Sequence, residues 1–341
     1  MATKAILITG ANGEIGHGLI TRLKQSHADH RIIALDVHPL DKSLKHLCHE
    51  MIVGDILDTT TIDRLAAFHD FETIYHLAAI LSTKAEREPV LGHRVNVDGT
   101  LNLLELAARQ ARATGTNVKF LFPSSIAAYG LPNAEAKAKA GRVKETEWLQ
   151  PRTMYGINKH YCEELGRYYN RFYRQIDPQP AAGRVDFRAI RFPGLISAQT
   201  LPTGGTSDYG PEMLHHAAQG KTYDCFVPES ATLPFMTMTD AIKALLNLES
   251  APANTLTQLV YNIGAFSVSA KDFFEVIKKH FPDARVNFKP DLLRQKIVDS
   301  WPADVDDSCA RKEWGWQAEY DFMRAFEEYL IPAVKTRYTR P

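Results

Sequence analysis

The fold of this chain is decided by the stretch KAILITGANGEIGHGLI, residues 4–20. A short apolar run at Lys4–Thr9 leads into a turn with glycines at positions 10, 13 and 16, and helical spacing of apolar residues follows over Glu14–Gln25. Glycines at such a turn let a pyrophosphate approach the free N–H groups of a helix N-terminus. The spacing G-x-x-G-x-x-G is weak evidence alone, and its strand–turn–helix context is what makes it predict a dinucleotide site.

The rest of the first half alternates strand-like and helical runs. The predicted strands are Lys4–Thr9, Arg31–Leu35, Met51–Val53, Thr73–Leu77, Lys119–Phe122 and Phe187–Phe192. The predicted helices are Glu14–Gln25, Thr59–Phe68, Val95–Ala113 and Tyr155–Tyr173. This alternation predicts the α/β class, as a Rossmann-type doubly wound parallel sheet with helices on both faces. Ligands bind such sheets at the carboxyl ends of the strands, which here are Gly10, Asp36, Asp55, Ala78 and Ser124.

The character of the sequence changes after Pro193. A loop rich in Gly, Pro, Ser and Thr covers Gly194–Gly210, and short strands and helices follow it. We expect a nucleotide-binding domain over residues 1–193 and a smaller, mixed α/β substrate lobe over residues 194–320, with a C-terminal helix within 321–341 packing back on the body. The loop is long enough to suggest a lid. The Ala- and Lys-rich stretch Asn133–Arg142 is expected to be a surface insertion.

Composition excludes several classes of function. The 341 residues carry 40 Lys plus Arg and 40 Asp plus Glu, which argues against a nucleic-acid partner bound through phosphate neutralisation. No apolar run approaches the roughly 18 residues of a membrane span, and the N-terminus lacks the pattern of a secretory signal. Four separated cysteines indicate no disulfide framework, and His46–Glu50 lacks a second ligand cluster, so we expect no metal. A cytoplasmic protein is predicted.

Two acidic residues follow strands of the predicted sheet. Asp36 ends the second strand, where a carboxylate accepts hydrogen bonds from an adenosine ribose and repels a 2′-phosphate, which favours NAD over NADP. Asp55 ends the third strand in Gly54-Asp55-Ile56. It either meets the adenine amino group or belongs to the cap of the helix that begins after Asp58, and the sequence does not separate these roles.

A tyrosine, a lysine and a serine form the candidate catalytic set. Tyr155 and Lys159 are four residues apart on a predicted helix, so they share one face, and Ser125 ends the preceding strand. A free tyrosine has a pKa near 10, so work as a base near neutrality requires about three units of depression. A lysine ammonium and a cationic nicotinamide have the right sign for this, and Ser125 would hold the substrate hydroxyl.

The motifs TGANGEIG, GDILD, HLAA, Ser125 and YGINK together resemble the extended short-chain dehydrogenase/reductase superfamily over roughly residues 4–192. The resemblance implies a Rossmann fold, bound NAD and Ser–Tyr–Lys chemistry. The residues it implies for NAD binding are Gly10, Asn12, Gly13, Glu14, Ile15, Gly16, Asp36, Asp55, Ile56, Leu77, Ala78, Ala79, Asn96, Tyr155, Lys159 and Phe192.

The second half is similar to the short-chain-type L-threonine 3-dehydrogenases. The segments that carry this likeness are Arg191–Ile196, Gly204–Tyr209, Leu233–Met236 and Arg294–Trp316. The likeness implies oxidation of L-threonine at C3 to 2-amino-3-oxobutyrate, with Tyr155 taking the hydroxyl proton and Lys159 lowering the tyrosine pKa. The substrate contacts that it implies are Ser82, Ser125, Tyr155, Gly194, Thr206, Ser207 and Trp301. For Trp301 the alternative is ordinary core packing.

Two other functions stay open at this point. A nucleotide-sugar epimerase or dehydratase of the same superfamily shares the N-terminal motifs, although Phe192-Pro193-Gly194 stands where such enzymes usually carry an asparagine. A non-catalytic NAD-sensing scaffold typically loses the tyrosine or the lysine, and both are present here. The resemblance also implies a homodimer in which helices around Val95–Ala113 and Tyr155–Tyr173 pair across a two-fold axis.

Overall fold

The structure, a computed structural model, describes residues 4–26, 31–179, 182–198, 200–202 and 204–339. Its strands are β1 Ala5–Thr9, β2 Arg31–Asp36, β3 Glu50–Val53, β4 Phe71–His76, β5 Val118–Ser125, β6 Arg142–Val143, β7 Val185–Phe192, β8 Gly194–Ile196, β9 Tyr223–Cys225, β10 Thr232–Thr237, β11 Val260–Asn262, β12 Phe266–Ser269, β13 Val286–Phe288 and β14 Asp304–Val305. Its helices are α1 Glu14–Ser26, α2 Thr59–Phe68, α3 Ser82–Arg87, α4 Pro89–His93, α5 Gly99–Thr114, α6 Ala134–Ala140, α7 Met154–Arg171, α8 Tyr209–Ala218, α9 Met238–Ser250, α10 Ala270–His280, α11 Leu292–Asp299, α12 Ser308–Trp314, α13 Phe322–Arg324 and α14 Ile331–Thr339.

Seven parallel strands form the central sheet, in the order β11-β7-β5-β4-β1-β2-β3. The order reverses between β1 and β4, so the carboxyl ends of these strands flank a crevice at the switch point. The predicted Rossmann-type sheet is therefore confirmed. The six strands predicted in the first half all form, each within about two residues of its predicted start.

Alternation along the strands builds one core on each face of the sheet. In β1, Ile6 and Ile8 face the core shared with α1 and α9, while Leu7 faces the core shared with α2, α5 and α7. Side chains of a strand alternate between faces, so a sheet that is covered on both sides needs an almost continuous apolar run. The run Ala5–Thr9 meets that need, since every one of its residues is buried.

Two polar side chains set the starts of the helices that matter for the crevice. The Asp58 carboxylate accepts hydrogen bonds from the backbone N–H groups of Thr60 and Thr61, which begins α2. The Thr153 hydroxyl accepts from the N–H of Gly156, which begins α7 one residue before Tyr155. Such caps satisfy N–H groups that no residue of the helix can reach. Tyr155 therefore lies in the first turn of a helix with a fixed start.

The smaller lobe has its own core, and the cut at residue 193 is less clean than the sequence indicated. Sheet β12-β10-β8 packs its apolar face on α8 and α10, around Tyr209, Phe235 and Phe273. Strand β11 and helix α9 lie beyond residue 193, yet β11 is the edge strand of the central sheet and α9 packs against α1. The second half of the chain thus completes the first domain before it builds the lobe.

The C-terminal helix packs on the smaller lobe. Leu330 and Val334 belong to the core of that lobe, and Tyr338 contacts His215 of α8 with 2.9 Å between the hydroxyl and Nδ1. Within the described ranges, we find no helix that combines the length and the hydropathy needed to span a bilayer.

The stretch Asn133–Arg142 lies largely at the surface, as the sequence suggested, but it is built into the fold and buries one lysine. It forms α6, capped by the Asn133 side chain, and then β6, which pairs with β14. Lys137 in the middle of α6 is only 6% exposed. The polar composition is misleading here because a lysine can bury its stem when its ammonium finds an acceptor inside the protein.

Candidate active site

One deep cavity of about 760 Å³ runs along the carboxyl ends of the central strands. Cavities of this size hold cofactors and small substrates. The cavity extends from the end of β2 across the glycine turn to the loop after β8 and to Trp301. The predicted site residues that line it are Gly10, Asn12, Gly13, Glu14, Ile15, Gly16, Asp36, Asp55, Ile56, Leu77, Ala78, Ala79, Ser82, Ser125, Tyr155, Lys159, Phe192, Gly194, Thr206, Ser207 and Trp301.

The glycine turn needs glycine at two positions. Gly10 has φ +64°, and a Cβ there would lie 2.6 Å from the backbone nitrogen of Ala78. A Cβ at Gly16 would lie 2.4 Å from the carbonyl oxygen of Ala11. The turn therefore lies against the end of β4 and leads directly into α1, so the N-terminus of α1 faces the cavity. This cradle fits a pyrophosphate, which needs close backbone approach and N–H donors.

Asp36 is fixed at the end of β2. One of its carboxylate oxygens accepts the N–H of Asn12 at 2.9 Å, and the other accepts the N–H of His38 at 3.0 Å. A carboxylate has about four acceptor positions, so two backbone bonds orient Asp36 and still leave capacity for a ribose diol. The neighbouring His38 and Lys42 side chains are exposed. The geometry fits the adenosine end of NAD.

Asp55 and Asp58 divide the two roles that the sequence left open. Asp58 caps α2, as described above, and Asp55 accepts only the N–H of Leu57, at 2.9 Å, while it lines the cavity. Asp55 is exposed, so its carboxylate can reach a ligand. The position of Asp55 therefore agrees with the predicted adenine contact. The capping role belongs to Asp58.

Asn96 is the one predicted cofactor contact that does not line the cavity. Its side chain is 4% exposed, accepts the N–H of Ile80 at 2.7 Å and donates to the carbonyl of Ile80 at 3.0 Å. Both backbone groups of Ile80 are thereby satisfied within the loop after β4. Asn96 shapes the wall of the cavity through Ile80, and its predicted contact with the cofactor stays a prediction.

Ser125, Tyr155 and Lys159 meet at the floor of the cavity. Burial raises the pKa of Tyr155 to about 12, although a hydrogen bond with Ser125 opposes the rise. Burial lowers the pKa of Lys159 to about 8, and the nearby Cys162 and Glu163 oppose that change. The lysine ammonium donates to the carbonyl of Pro123 at 2.6 Å.

Lys159 does not lower the pKa of Tyr155 in this structure, although the sequence analysis expected it to do so together with a cationic nicotinamide. Lys159 Nζ lies 5.5 Å from the centre of the Tyr155 ring, and its hydrogen bond goes to the end of β5 instead. The i, i+4 spacing places both residues on one face but does not choose the acceptor of the ammonium. Further positive charge beside the phenol is needed to bring its pKa toward neutrality, and oxidised nicotinamide carries such a charge.

A buried ion pair lies behind the catalytic set. Both Glu163 and Arg191 are almost fully buried, and their closest atoms, Glu163 Oε2 and Arg191 Nη2, are 2.6 Å apart. Burial alone would raise the pKa of Glu163, but the charge of Arg191 and hydrogen bonds from Arg191, His160 and Ser124 lower it to about 2. Ser124 donates to the same carboxylate at 2.5 Å. The pair ties α7, which carries Tyr155, to the ends of β5 and β7.

The far end of the cavity is walled by hydroxyl groups and one indole. The hydroxyls of Thr206 and Ser82 are 3.2 Å apart, and Thr83 donates to the carbonyl of Gly204 at 2.8 Å. Trp301 is 4% exposed, belongs to the core of the smaller lobe and also lines the cavity. Trp301 therefore packs in the core of the smaller lobe and also reaches the cavity, so neither role considered for it is excluded by its position.

Sequence reasoning missed part of the wall. The loop residues Thr200, Leu201, Pro202, Gly205 and Asp208, together with Ile80, Leu81, Leu195 and Met238, also face the cavity. The composition of the polar loop after Pro193 suggests a lid, and this is the sequence signal that could have identified the five loop residues. The apolar residues follow strands and turns without a distinguishing pattern, so only the folded chain brings them to the cavity.

Comparisons with known proteins agree with this geometry. Residues 6–264 match the model of the NAD dependent epimerase/dehydratase family. The mitochondrial L-threonine 3-dehydrogenase of Bos taurus is 33% identical over 318 residues, which cover 93% of this chain and 79% of the bovine protein. The solved L-threonine dehydrogenase of Clostridium difficile is 32% identical with a TM-score of 0.86 and full coverage of both chains. A monomeric L-threonine 3-dehydrogenase from a metagenome is 36% identical, with a TM-score of 0.84 and coverage of 98% of this chain and 99% of its own. A glycine cradle, a carboxylate at the end of β2 and a Ser–Tyr–Lys set thus occur in a chain that belongs to the NAD-dependent epimerase/dehydratase family.

Proposed function

We propose that this protein oxidises L-threonine at C3 with NAD, giving 2-amino-3-oxobutyrate and NADH. The observation that carries the proposal is the position of Ser125, Tyr155 and Lys159, which line the same cavity as the glycine turn and Asp36. The relatives described above, which bear the name L-threonine dehydrogenase, support the choice of substrate. The reaction would serve threonine catabolism.

The protein's own residues divide the work of the reaction. Tyr155 takes the proton of the C3 hydroxyl as the C–O single bond becomes a carbonyl, and Ser125 hydrogen-bonds that oxygen and orients it. Lys159, held by the Pro123 carbonyl, would contact the ribose of the nicotinamide half. When bound, NAD supplies the acceptor for the C3 hydride and a positive charge beside the phenol.

The hydroxyl-lined end of the cavity suits an amino acid. Ser82, Thr206 and Ser207 offer donors and acceptors to the carboxylate and the amino group, and Trp301 offers an apolar face to the methyl group. Gly194 lies beside them, and a Cβ there would be 2.4 Å from the Phe235 ring. Together these residues would fix the near-attack geometry and exclude water when the loop lies over the substrate.

The test is the appearance of NADH absorbance when purified protein is mixed with NAD and L-threonine. We expect turnover with L-threonine, and none with D-threonine, because the C3 hydrogen of the wrong isomer cannot face the cofactor. Absence of NADH at saturating L-threonine would contradict the proposal.

The two alternatives are separated by ligand-induced shifts in melting temperature. A ligand that binds only the native state raises its stability by an amount that grows with the logarithm of ligand concentration over Kd. We expect NAD, and L-threonine in the presence of NADH, to raise the melting temperature, with little effect of NADP or UDP-glucose. A shift with UDP-glucose would favour an epimerase or dehydratase, and a shift with NAD in a protein without turnover would favour an NAD-sensing scaffold.

We also propose that the protein is a homodimer that pairs through α5 and α7. The outer face of α7 is apolar at helical spacing: Ile157, Tyr161 and Tyr168 are 48%, 51% and 41% exposed, and Leu101 of α5 is 37% exposed. An apolar face of this kind is commonly covered by a second subunit. Light scattering after gel filtration should give twice the mass of the chain, and Tyr161→Asp should give the monomer. A monomeric wild type, as in the metagenomic relative, would contradict this.

A cytoplasmic location is proposed from the thiols. All four cysteines, which lie within the described ranges, are free, as expected in a reducing compartment. Cell fractionation with an antibody checks this, and recovery of the chain in an organelle fraction would contradict it.

A further inference from the structure

Lys137 is a buried cation outside the catalytic set. It lies in α6, where its neighbour Lys139 is exposed and paired with Glu135, whereas the Lys137 side chain points into the protein. Its ammonium donates to the carbonyl oxygen of Val298 at 2.9 Å. Burial lowers the pKa of Lys137 to about 8, and Asp299 opposes that change. Lysine is seldom this buried unless its ammonium has a partner, so the contact with Val298 defines its place.

The carbonyl of Val298 also receives the backbone N–H of Trp301, at 3.2 Å. Val298 lies in the last turn of α11, where carbonyl groups lack partners within the helix and a cation is favourable. The carbonyl oxygen of Val298 thus links Lys137 to Trp301, which lines the substrate end of the cavity. Two residues further on, the carbonyl of Ser300 accepts the N–H of Leu131 at 2.9 Å, so a second bond from the same region of chain reaches this turn.

The other end of α11 reaches the loop over the substrate end. Arg294 donates to the carbonyl of Gly205 at 3.1 Å and lies 3.2 Å above the centre of the Phe226 ring. Gly205 directly precedes Thr206, one of the expected substrate contacts. In the described helix α11, Val298 is the one buried residue, and Leu292 and Leu293 are 70% and 75% exposed. With so little apolar burial, polar contacts at its two ends hold α11 in position.

We propose that Lys137 is a positioning residue of the substrate site, which holds the end of α11 so that Trp301 and the Gly205–Thr206 turn stand at the distance that the substrate requires. This inference rests on the proposed oxidation of L-threonine. It makes Asn133–Arg142 a functional support of the site. Because Lys137 acts through Trp301 and α11, its loss affects the binding of the amino acid and leaves the NAD end of the cavity unchanged.

The experiment compares Lys137→Met with Lys139→Met on the same helix. Methionine keeps the apolar stem of lysine and removes the ammonium. Loss of a hydrogen bond from a charged donor corresponds to roughly a tenfold effect, so we expect KM for L-threonine to rise about tenfold in Lys137→Met. KM for NAD should stay within about twofold, and Lys139→Met should match the wild type in both constants. A loss of melting temperature with an unchanged KM for L-threonine would show a merely structural role and overturn the proposal.

A milder variant covers the case in which Lys137→Met does not fold. Asn133→Ala removes the cap at the exposed N-terminus of α6. In the wild type, Asn133 Oδ1 accepts a hydrogen bond of 2.9 Å from the N–H of Ala136. Loss of such a cap weakens a helix by about 1 kcal/mol, so we expect KM for L-threonine to rise about two- to threefold with KM for NAD unchanged. An unchanged KM for L-threonine in this variant would overturn the proposal.

A double-mutant cycle with Trp301→Phe tests the route of the effect. Because Lys137 acts partly through Trp301, Lys137→Met should raise KM for L-threonine by clearly less in the Trp301→Phe background than in the wild type. Additive effects would overturn the proposal. A wild-type protein that does not oxidise L-threonine would refute the proposed function, and this inference with it, whereas wild-type turnover with additive variants refutes the inference alone.

Discussion

Tyr155 shows how much a single side chain depends on its surroundings. The protein alone raises its pKa to about 12, because the hydroxyl is buried and Lys159 is bonded to Pro123. A phenol in that state holds its proton at neutral pH. In the proposed mechanism, the positive charge of bound NAD would lower the pKa of this phenol, and Tyr155 would act as a base only in the loaded enzyme.

Tyr155→Phe removes the acceptor of the hydroxyl proton and keeps the ring. We expect kcat to fall by at least about a thousandfold, since general base catalysis is worth 10²–10⁴-fold. NAD affinity, measured by calorimetry, should change by less than about threefold because the adenosine and pyrophosphate contacts are intact. Ser207→Ala, at the substrate end, is the comparison that should raise KM with a smaller effect on kcat. Retention of more than a tenth of the wild-type kcat in Tyr155→Phe would contradict the assigned role.

His76 is a residue whose charge state affects the stability of the whole sheet. It is fully buried at the end of β4, with Nδ1 2.8 Å from the Thr9 hydroxyl and Nε2 2.9 Å from the Thr100 hydroxyl. The Thr100 hydroxyl donates to the carbonyl of Asn96, so it accepts from Nε2, and the ring is the neutral Nε2–H tautomer. Burial lowers its pKa to about 3, and Lys159 adds to the effect.

The stability that neutral His76 contributes is present above the pKa of about 6.5 in the unfolded chain and is lost as pH falls toward 3, because only the unfolded state then binds the proton. Between pH 7 and 4.5 this loss amounts to about 2–3 kcal/mol. Urea unfolding at the two pH values should show that His76→Asn loses less free energy of unfolding over this interval than the wild type. Equal losses in the two proteins would contradict the shifted pKa.

At the scale of elements, the glycine turn joins β1, α1 and β4 in the space of seven residues. Gly10 combines a positive φ with the close approach of Ala78, so both conformation and space demand glycine. Its neighbours Asn12 and Asp36 are linked by a hydrogen bond from backbone to carboxylate, which ties the turn to the end of β2. The glycine turn and Asp36 are thus held in a fixed position relative to each other.

Gly10→Ala should weaken NAD binding by at least about tenfold, because the turn must shift away from a contact of 2.6 Å with the Ala78 nitrogen. Gly220→Ala provides the matched control: Gly220 has φ +67° and nothing lies within 4 Å of its added Cβ. The control should lose about 1–2 kcal/mol of stability from backbone strain and keep its NAD affinity. Isothermal titration with NAD and urea unfolding separate the effects, and equal loss of NAD affinity in both variants would contradict the role of close approach.

At the scale of the whole molecule, the two halves of the sequence are interleaved. Strand β11 completes the sheet beside β7, and α9 packs against β5 and β7, with Ile242, Leu245 and Leu248 in the core on that face. Trp316, from near the end of the chain, is 1% exposed in the same core. The cavity between the nucleotide-binding sheet and the smaller lobe is therefore built on a joint framework.

A fragment that ends at residue 193 should not fold. Without α9 and β11 it would expose the apolar face that Leu19, Ile20 and Leu23 of α1 share with them. Burial of a large apolar side chain contributes about 1.5–3 kcal/mol, so loss of several partners exceeds the usual stability of a domain. Near-ultraviolet circular dichroism of the fragment should show no fixed tertiary signal, whereas the full chain should. A cooperative melting transition in the fragment would show an independent domain and contradict this prediction.

The sequence by itself determined the parallel sheet and the glycine turn, since both follow from local patterns, while many residues of the cavity wall were implied only by family resemblance. Alternating apolar runs, helical spacing and a strand–turn–helix order each act over a few residues, so their outcome needs little knowledge of the rest of the chain. Asp36, Ser125 and Tyr155 are at the cavity because each one follows or opens an element that the pattern identifies.

Only the tertiary structure decided the partners that come from distant parts of the chain. The Lys159 ammonium donates its hydrogen bond to Pro123 and lies 5.5 Å from the centre of the Tyr155 ring. Asn96 bonds to Ile80 and does not line the cavity, and β11 joins the first domain. Lys137 looks like a surface lysine in sequence and is buried against Val298, 161 residues away. A hydrogen bond depends on distance and direction in space, and these are set when separate elements pack, so no local pattern contains them.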